Sequence, residues 1–376
     1  AGTAYRNPEH PPLGKEIIAG GIALFGDNPW GWRFFPVLAG AVTLFAAMRA
    51  LWHVSQRQAA TLAYGVLLAT GFLLFVHAQI AMLDIFMAAF FLTALWLFVS
   101  ACRQRREPRA RLDLIASGIA LGLSMAAKWN AVPLAPLLGL FFLAMRIHAG
   151  TSRERFADGD ASPVRGVSLV EAALWLGVLP LAVYSATFWP AFQVENGPFA
   201  GMDLLGAHLH MLELQESVKE AHPYQSTWDQ WVLNTRAIWY LYEVTDGAQR
   251  GVMLIGNPLT MWLGLIGAAW CAFAALFRRR ADAGFAVTLY AASIGFWIVA
   301  AKPIQFYYHY FLPSCFLLAC LALLLARLRA TGFGWAYWAV LAGSVGVFVY
   351  FYPILSAAEL WGEQAFNQWM WLAGWR

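Results

Sequence analysis

The sequence predicts an all-α polytopic membrane protein, a bundle of about ten transmembrane helices plus interfacial helices, on three observations. First, 60% of the 376 residues are hydrophobic and 12% are charged, whereas a soluble domain carries about 25% charged residues. Second, ten mostly apolar runs have roughly the 20-residue length that crosses a bilayer. Third, the arginines sort into alternate loops. So little charge cannot coat a soluble protein of this size. That excludes a cytosolic globular enzyme, a disordered chain and a nucleic-acid binder. Cys102, Cys271, Cys315 and Cys320 lie in or beside apolar runs, with neither metal-ligand spacing nor a disulfide framework.

Near the start, Pro8, Pro11 and Pro12 forbid helix, because proline lacks an N–H and restricts the residue before it. Helix is expected from Leu13. The apolar run to Phe25 is too short to span and reads as an interfacial helix. Spans are expected at roughly 33–52, 58–77, 82–102, 112–128, 131–147, 168–189, 257–277, 284–301, 307–327 and 333–352. Between residues 190 and 255 lies a long non-spanning stretch. There Met202, Leu205, Leu209 and Leu212 line one helical face, as in a helix lying flat on the membrane. Trp228, Trp231, Trp239, Tyr240 and Tyr242 follow as an aromatic belt at the interface.

Ten spans place alternate loops on opposite sides. One side collects Arg49, Arg57, Arg103, Arg105, Arg106, Arg109, Arg111, Arg146, Arg153, Arg155, Arg165, Arg278, Arg279, Arg280, Arg327 and Arg329, which are 16 of the 25 basic residues. Basic residues of short loops accumulate in the cytoplasm, so this side is cytoplasmic and both chain ends are external. All four lysines, Lys15, Lys128, Lys219 and Lys302, fall on the external side. They either meet headgroups or surround an anionic, membrane-borne substrate. Asp84 also has two readings, a cap at a helix start or part of a site. Glu9 and His10 sit on stiff backbone at the membrane surface, and anchoring explains His222 and Arg236 poorly. No Walker loop, HExxH or nucleophile elbow is present. Nor do two halves carry matching Gly/Pro-broken spans, as inverted-repeat transporters do. Polar residues gathered at one face suit transfer from a lipid-linked donor to an external acceptor.

These motifs resemble those of the protein O-mannosyltransferases, which use a polyprenyl-phosphate mannose donor. The resemblance rests on His10 to Lys15 (HPPLGK), Ala81-Met82-Leu83-Asp84, Ser124, and Lys128-Trp129-Asn130. It continues through His222-Pro223-Tyr224 with Ser226, Trp228 and Trp231, then Arg236 with Trp239-Tyr240, Gly256-Asn257-Pro258, and Tyr308-His309-Tyr310. They stand in the family's order over nearly the whole chain. Gln79 departs from the arginine many members carry before Met-Leu-Asp, and Ala237 from a common proline. Residues 190–255 leave no room for the extra soluble domain of fungal and animal members, which favours a prokaryotic member.

The resemblance implies a GT-C glycosyltransferase-like bundle, with 1–189 as a membrane core and 190–376 as a C-terminal module. It implies an enzyme of the plasma (inner) membrane, acting on its external or periplasmic face. Mannose would pass from polyprenyl-phosphate mannose to Ser or Thr hydroxyls of a secreted or membrane protein. His10, Lys15, Asp84, Lys128, His222 and Arg236 are expected to bind donor or acceptor at one external cavity. Arg236 can grip a phosphate bidentately, while Lys15 or Lys128 can act as point charges. In the family a further helix and an Asp-Glu loop precede HPPLGK, and that Asp is taken as the base. The base is therefore expected upstream of Ala1, and this stretch alone is expected to be inactive. No cofactor is assigned, and a divalent metal is left open. The alternatives are a related GT-C enzyme of aminoarabinose-transferase type acting on lipid A or another glycolipid, and a non-catalytic membrane protein or transporter.

Overall fold

The computed structural model describes residues 8–148, 162–217, 220–300, 302, 304–362 and 364–376. Lys219, Arg153 and Arg155, assigned to sides of the membrane above, lie outside the described residues. In chain order the helices are α1 (Leu13–Phe25), α2 (Pro29–Ser55), α3 (Gln58–Ala69), α4 (Phe72–Gln79), α5 (Leu83–Ala101) and α6 (Glu107–Ala127). A 3₁₀ turn, Trp129–Leu134, leads into α7 (Pro136–His148). Next come α8 (Leu169–Ala173), a π-helical turn at Leu174–Val178, α9 (Leu179–Ala186), α10 (Trp189–Phe192), α11 (Leu204–Ser217) and α12 (Trp228–Val232). A hairpin of β1 (Ile238–Thr245) and β2 (Ala248–Leu254) precedes α13 (Pro258–Arg278), α14 (Ala281–Val299), α15 (Phe311–Ala330) and α16 (Gly334–Leu355).

Helix α1 starts where the prolines end, with Pro12 as its N-cap. Among the described residues, nine helical stretches are long and apolar enough to cross a membrane, and α3 with α4 forms a pair bent by 54°. Counting that pair as one span gives the ten read from the sequence. Helix α11 is also present, with Leu205, Leu209 and Leu212 exposed and Ala207 and Met211 buried. An outward leucine stripe is what an interfacial helix requires. All four cysteines are free.

Packing divides the chain into two units, Ala1–Ala46 with Ala81–Lys219 and Ala47–Ile80 with Glu220–Arg376. They interleave in sequence. In the first unit α5 and α6 lie together. Ser117 Oγ donates to Ala94 O at 2.7 Å and Ser124 Oγ to Met87 O at 2.8 Å. Small residues allow that close approach, and hydroxyls bonding across helices leave no polar group stranded in hydrocarbon.

In the second unit α15 is the centre, buried along most of its length and packed by α3, α13, α14 and α16. Tyr64 Oη donates to Cys315 O at 2.9 Å. The break between α3 and α4 frees the carbonyl of Thr70. Asn257 Nδ2 supplies the missing partner at 3.2 Å, and also bonds Ser344 O at 3.1 Å. A bend inside a bilayer is tolerated only when its freed backbone groups are satisfied in this way.

The hairpin was not anticipated among the helices. Its turn, Asp246-Gly247, has φ of 54° and 77°, the left-handed pair of a type I′ turn. The ladder is antiparallel, pairing Ile238 with Leu254 and Thr245 with Ala248, with an irregularity between Trp239 and Leu241. The aromatic belt is also corrected in part. Trp231 is 0% and Trp239 8% exposed, so these two are core residues. Trp239 Nε1 donates to Trp375 O at 3.0 Å and Trp231 Nε1 to Ser226 Oγ at 2.8 Å. A buried indole N–H needs such an acceptor, which a headgroup anchor takes from water or lipid.

Candidate active site

Three of the motif segments meet in the first unit. A Cβ built on Gly14 would stand 2.7 Å from Leu83 Cδ2 and 3.5 Å from Ala127 O. Here α1 packs closely against the start of α5 and the end of α6. The contact sets Lys15 beside the residues that precede Asp84 and Lys128 in the chain. Lys15 Nζ donates to His10 O at 2.7 Å, closing HPPLGK on itself. Gln215 Nε2 of α11 donates to Glu9 O at 2.8 Å, tying the interfacial helix to the same segment. Burial pushes the Lys15 ammonium down to about 8, against the opposing pull of the Glu9 and Glu16 carboxylates. Burial also raises the Glu16 carboxyl, and Lys15 offsets part of that rise.

Asp84 lies in the first turn of α5, whose N-cap is Met82, and its carboxylate makes no capping bond there. Instead Lys128 Nζ donates to Asp84 Oδ2 at 2.6 Å, with side chains 4% and 0% exposed. The second oxygen, Oδ1, has no hydrogen-bond partner among the described residues. Lys128 is therefore not a headgroup contact.

The tryptophan after Lys128 opens a chain of bonds that sequence reasoning missed. Trp129 Nε1 donates to Tyr184 Oη at 2.8 Å, which lies 2.6 Å from His208 Nε2. His208 Nδ1 is 2.6 Å from Leu204 O. A carbonyl can only accept, so Nδ1 carries the proton and Nε2 accepts from Tyr184. The Trp129 and His208 rings stack at 5.7 Å. Polar tips in α9 and α11 were the only signal, and nothing in their spacing paired them.

In the second unit, Arg236 Nη2 donates to Pro223 O. Arg236 thus rests on the His222-Pro223-Tyr224 turn, and two expected site residues share one small assembly. His222 Nδ1 accepts from Tyr224 N at 3.1 Å, and its ring meets Phe306 edge-on at 5.0 Å. The loop bearing Arg236 is pinned by Asn234, which is fully buried at φ 60°. Asn234 Nδ2 donates to Gly256 O at 3.0 Å, and its Oδ1 accepts from Gly256 N at 3.1 Å and from Tyr307 Oη. Among the described residues no group of three or more His, Cys, Asp or Glu side chains could hold a metal ion.

Ten candidate spans among the described residues, counting the bent pair as one, are those of an integral membrane protein, and its fold is that of the GT-C glycosyltransferases. The same fold appears in the S. cerevisiae protein O-mannosyltransferase Pmt1–Pmt2 complex bound to its sugar donor, at TM-score 0.81 and 14% identity, covering 99% of this chain and 86% of that one. ArnT from Cupriavidus metallidurans follows at TM-score 0.57 and 16% identity, over 87% of this chain and 51% of that one. Residues 9–158 match the family model of dolichyl-phosphate-mannose-protein mannosyltransferase, and residues 202–375 that of the C-terminal four TMM region of protein-O-mannosyltransferase. The chain belongs to the protein O-mannosyltransferase family. Polyprenol-phosphate-mannose–protein mannosyltransferase of Mycobacterium tuberculosis is 27% identical over 98% of this chain and 81% of that protein.

Proposed function

We infer that the protein transfers mannose from a polyprenyl-phosphate mannose to proteins, at Ser or Thr hydroxyls. The observation that carries this reading is the two-part family match over most of the chain, together with HPPLGK packed on Leu83 and Ala127, the residues before Asp84 and Lys128. Displacing a polyprenyl phosphate needs cations where charge develops on the leaving phosphate. Arg236, already oriented by Pro223 O, is assigned to that phosphate, where its planar fork can bind two oxygens. Lys15 is assigned as a point charge toward an anionic group of donor or acceptor. Asp84 and Lys128 carry no net charge as a pair, so their role is to hold the ends of α5 and α6 against HPPLGK. His10 supplies the carbonyl that aims Lys15, and His222 shapes the turn beneath Arg236. The apolar spans offer the surface for the prenyl tail. By the arginine distribution, these residues work on the external face of a prokaryotic plasma membrane.

The test is transfer of radiolabelled mannose from polyprenyl-phosphate mannose to a Ser/Thr peptide by the complete gene product. Label in peptide is the expected result. Label in a glycolipid would select an ArnT-like activity instead. Cysteine-accessibility labelling tests the side. A cysteine near Trp228 is expected to react from outside and one near Arg106 only from within.

A further inference from the structure

The end of α6 opposite Lys128 bears a feature that mannose transfer does not use. An open surface depression of about 590 Å³ is lined there by Arg105, Arg106, Glu107, Arg109, Leu112 and Arg165, with Pro108 between them. We propose that this depression binds the headgroup of an anionic phospholipid, its phosphodiester held by Arg105, Arg106 and Arg165.

The charges argue for an anion. Four guanidinium groups face one lining carboxylate. Arg165 reaches that carboxylate, Glu107, at 3.8 Å, with side chains 65% and 54% exposed, an open and loose pairing. A second Arg165 nitrogen, Nη1, donates to Arg105 O at 3.3 Å, which ties the segment after α7 to the loop before α6. Arg109 pairs with Asp113 at 3.2 Å. The side chains of Arg105 and Arg106 have no acidic partner among the described residues and stand exposed. Helix α6 starts at this point with no side-chain cap, so its positive dipole end adds to theirs.

The placement argues for a lipid and against a soluble anion. Glu107–Ala127 is long and apolar enough to span, so its first turn lies at headgroup depth. Leu112 is 59% exposed and stands three residues after Arg109, on the same helical face. A ligand seated on the arginines therefore has an apolar side chain directly below it, where an acyl chain begins. Basic pockets between helices at the cytoplasmic surface favour anionic lipids by about 1 kcal/mol per arginine. The reading is independent of the sugar-transfer reaction.

The experiment is native mass spectrometry of the whole chain in neutral detergent, titrated with phosphatidylglycerol or phosphatidylcholine. Phosphatidylglycerol should bind at least about tenfold more tightly, and R105Q/R106Q should weaken it roughly 30-fold while leaving phosphatidylcholine unchanged. R278Q/R279Q, at the end of α13, is the control and should retain full affinity. Should R105Q/R106Q fail to fold, R165Q alone should cost roughly fivefold. Equal affinity for the two lipids, an unchanged R105Q/R106Q or, failing its folding, an unchanged R165Q, or an equal loss in the control would overturn the proposal. So would inorganic phosphate displacing the lipid at equal concentration, because the acyl contact would then add nothing.

Discussion

Lys128 Nζ donates to Asp84 Oδ2 at 2.6 Å with both side chains almost wholly buried. Such a pair adds little net stability over an apolar one, because desolvation cancels the attraction, but removing one partner strands a buried charge. Asp84→Asn or Lys128→Met alone should therefore cost about 3–5 kcal/mol. The double variant should recover at least half of the summed loss. Thermal unfolding in detergent measures the cycle, and strictly additive losses would show that the two charges are not coupled.

Lys15 sets a pH dependence whose sign follows from its environment. Burial holds its pKa in the folded protein at about 8, below the usual lysine value of 10.5. The charge is thus present below about pH 8 and lost above it. Donor or acceptor KM should rise as pH passes 8, and Lys15→Arg should remove that rise because guanidinium does not titrate there. For stability the sign is opposite. Between about 8 and 10.5 the unfolded chain binds more protons, so stability increases with pH across that window. A pH profile of KM with the same inflection in both proteins would exclude Lys15 as its source.

Arg236 and Arg250 differ in what they already hold. Among the described residues Arg236 bonds only to a backbone carbonyl, whereas Arg250 pairs with Glu359 at 2.8 Å and donates to Ala357 O at 3.0 Å. Arg236→Ala should lower kcat/KM for the donor by roughly 10- to 100-fold, as expected for losing charged hydrogen bonds to a phosphate. Arg250→Ala should leave kcat/KM near the parent value and cost about 1 kcal/mol of stability or less, since Glu359 is largely exposed. Equal kinetic effects would reduce Arg236 to a structural residue.

Asn257 satisfies a carbonyl that the bend between α3 and α4 leaves open. Asn257→Ala strands that group and should destabilise by about 1–3 kcal/mol. Hydrogen exchange should speed up around Thr70 before it does at α15. Unchanged exchange at the bend would mean that the carbonyl finds another partner.

Much of the architecture was legible because burial in a bilayer is decided residue by residue along a stretch. Pro12 set the start of α1, the apolar runs set the spans, and a leucine spacing of four and three set the exposed apolar side of α11. The Asp246-Gly247 turn signal was also there, but the aromatic residues around it read as anchors. What the sequence left open was which polar groups meet. Asp84 and Lys128 are 44 residues apart, and Trp129, Tyr184 and His208 join across three elements. Helix periodicity places each such side chain on a face of its own helix and says nothing about the neighbour opposite. Only the packing of helix ends, where Gly14 lies against Leu83 and Ala127, turns an acid and a lysine into a buried pair.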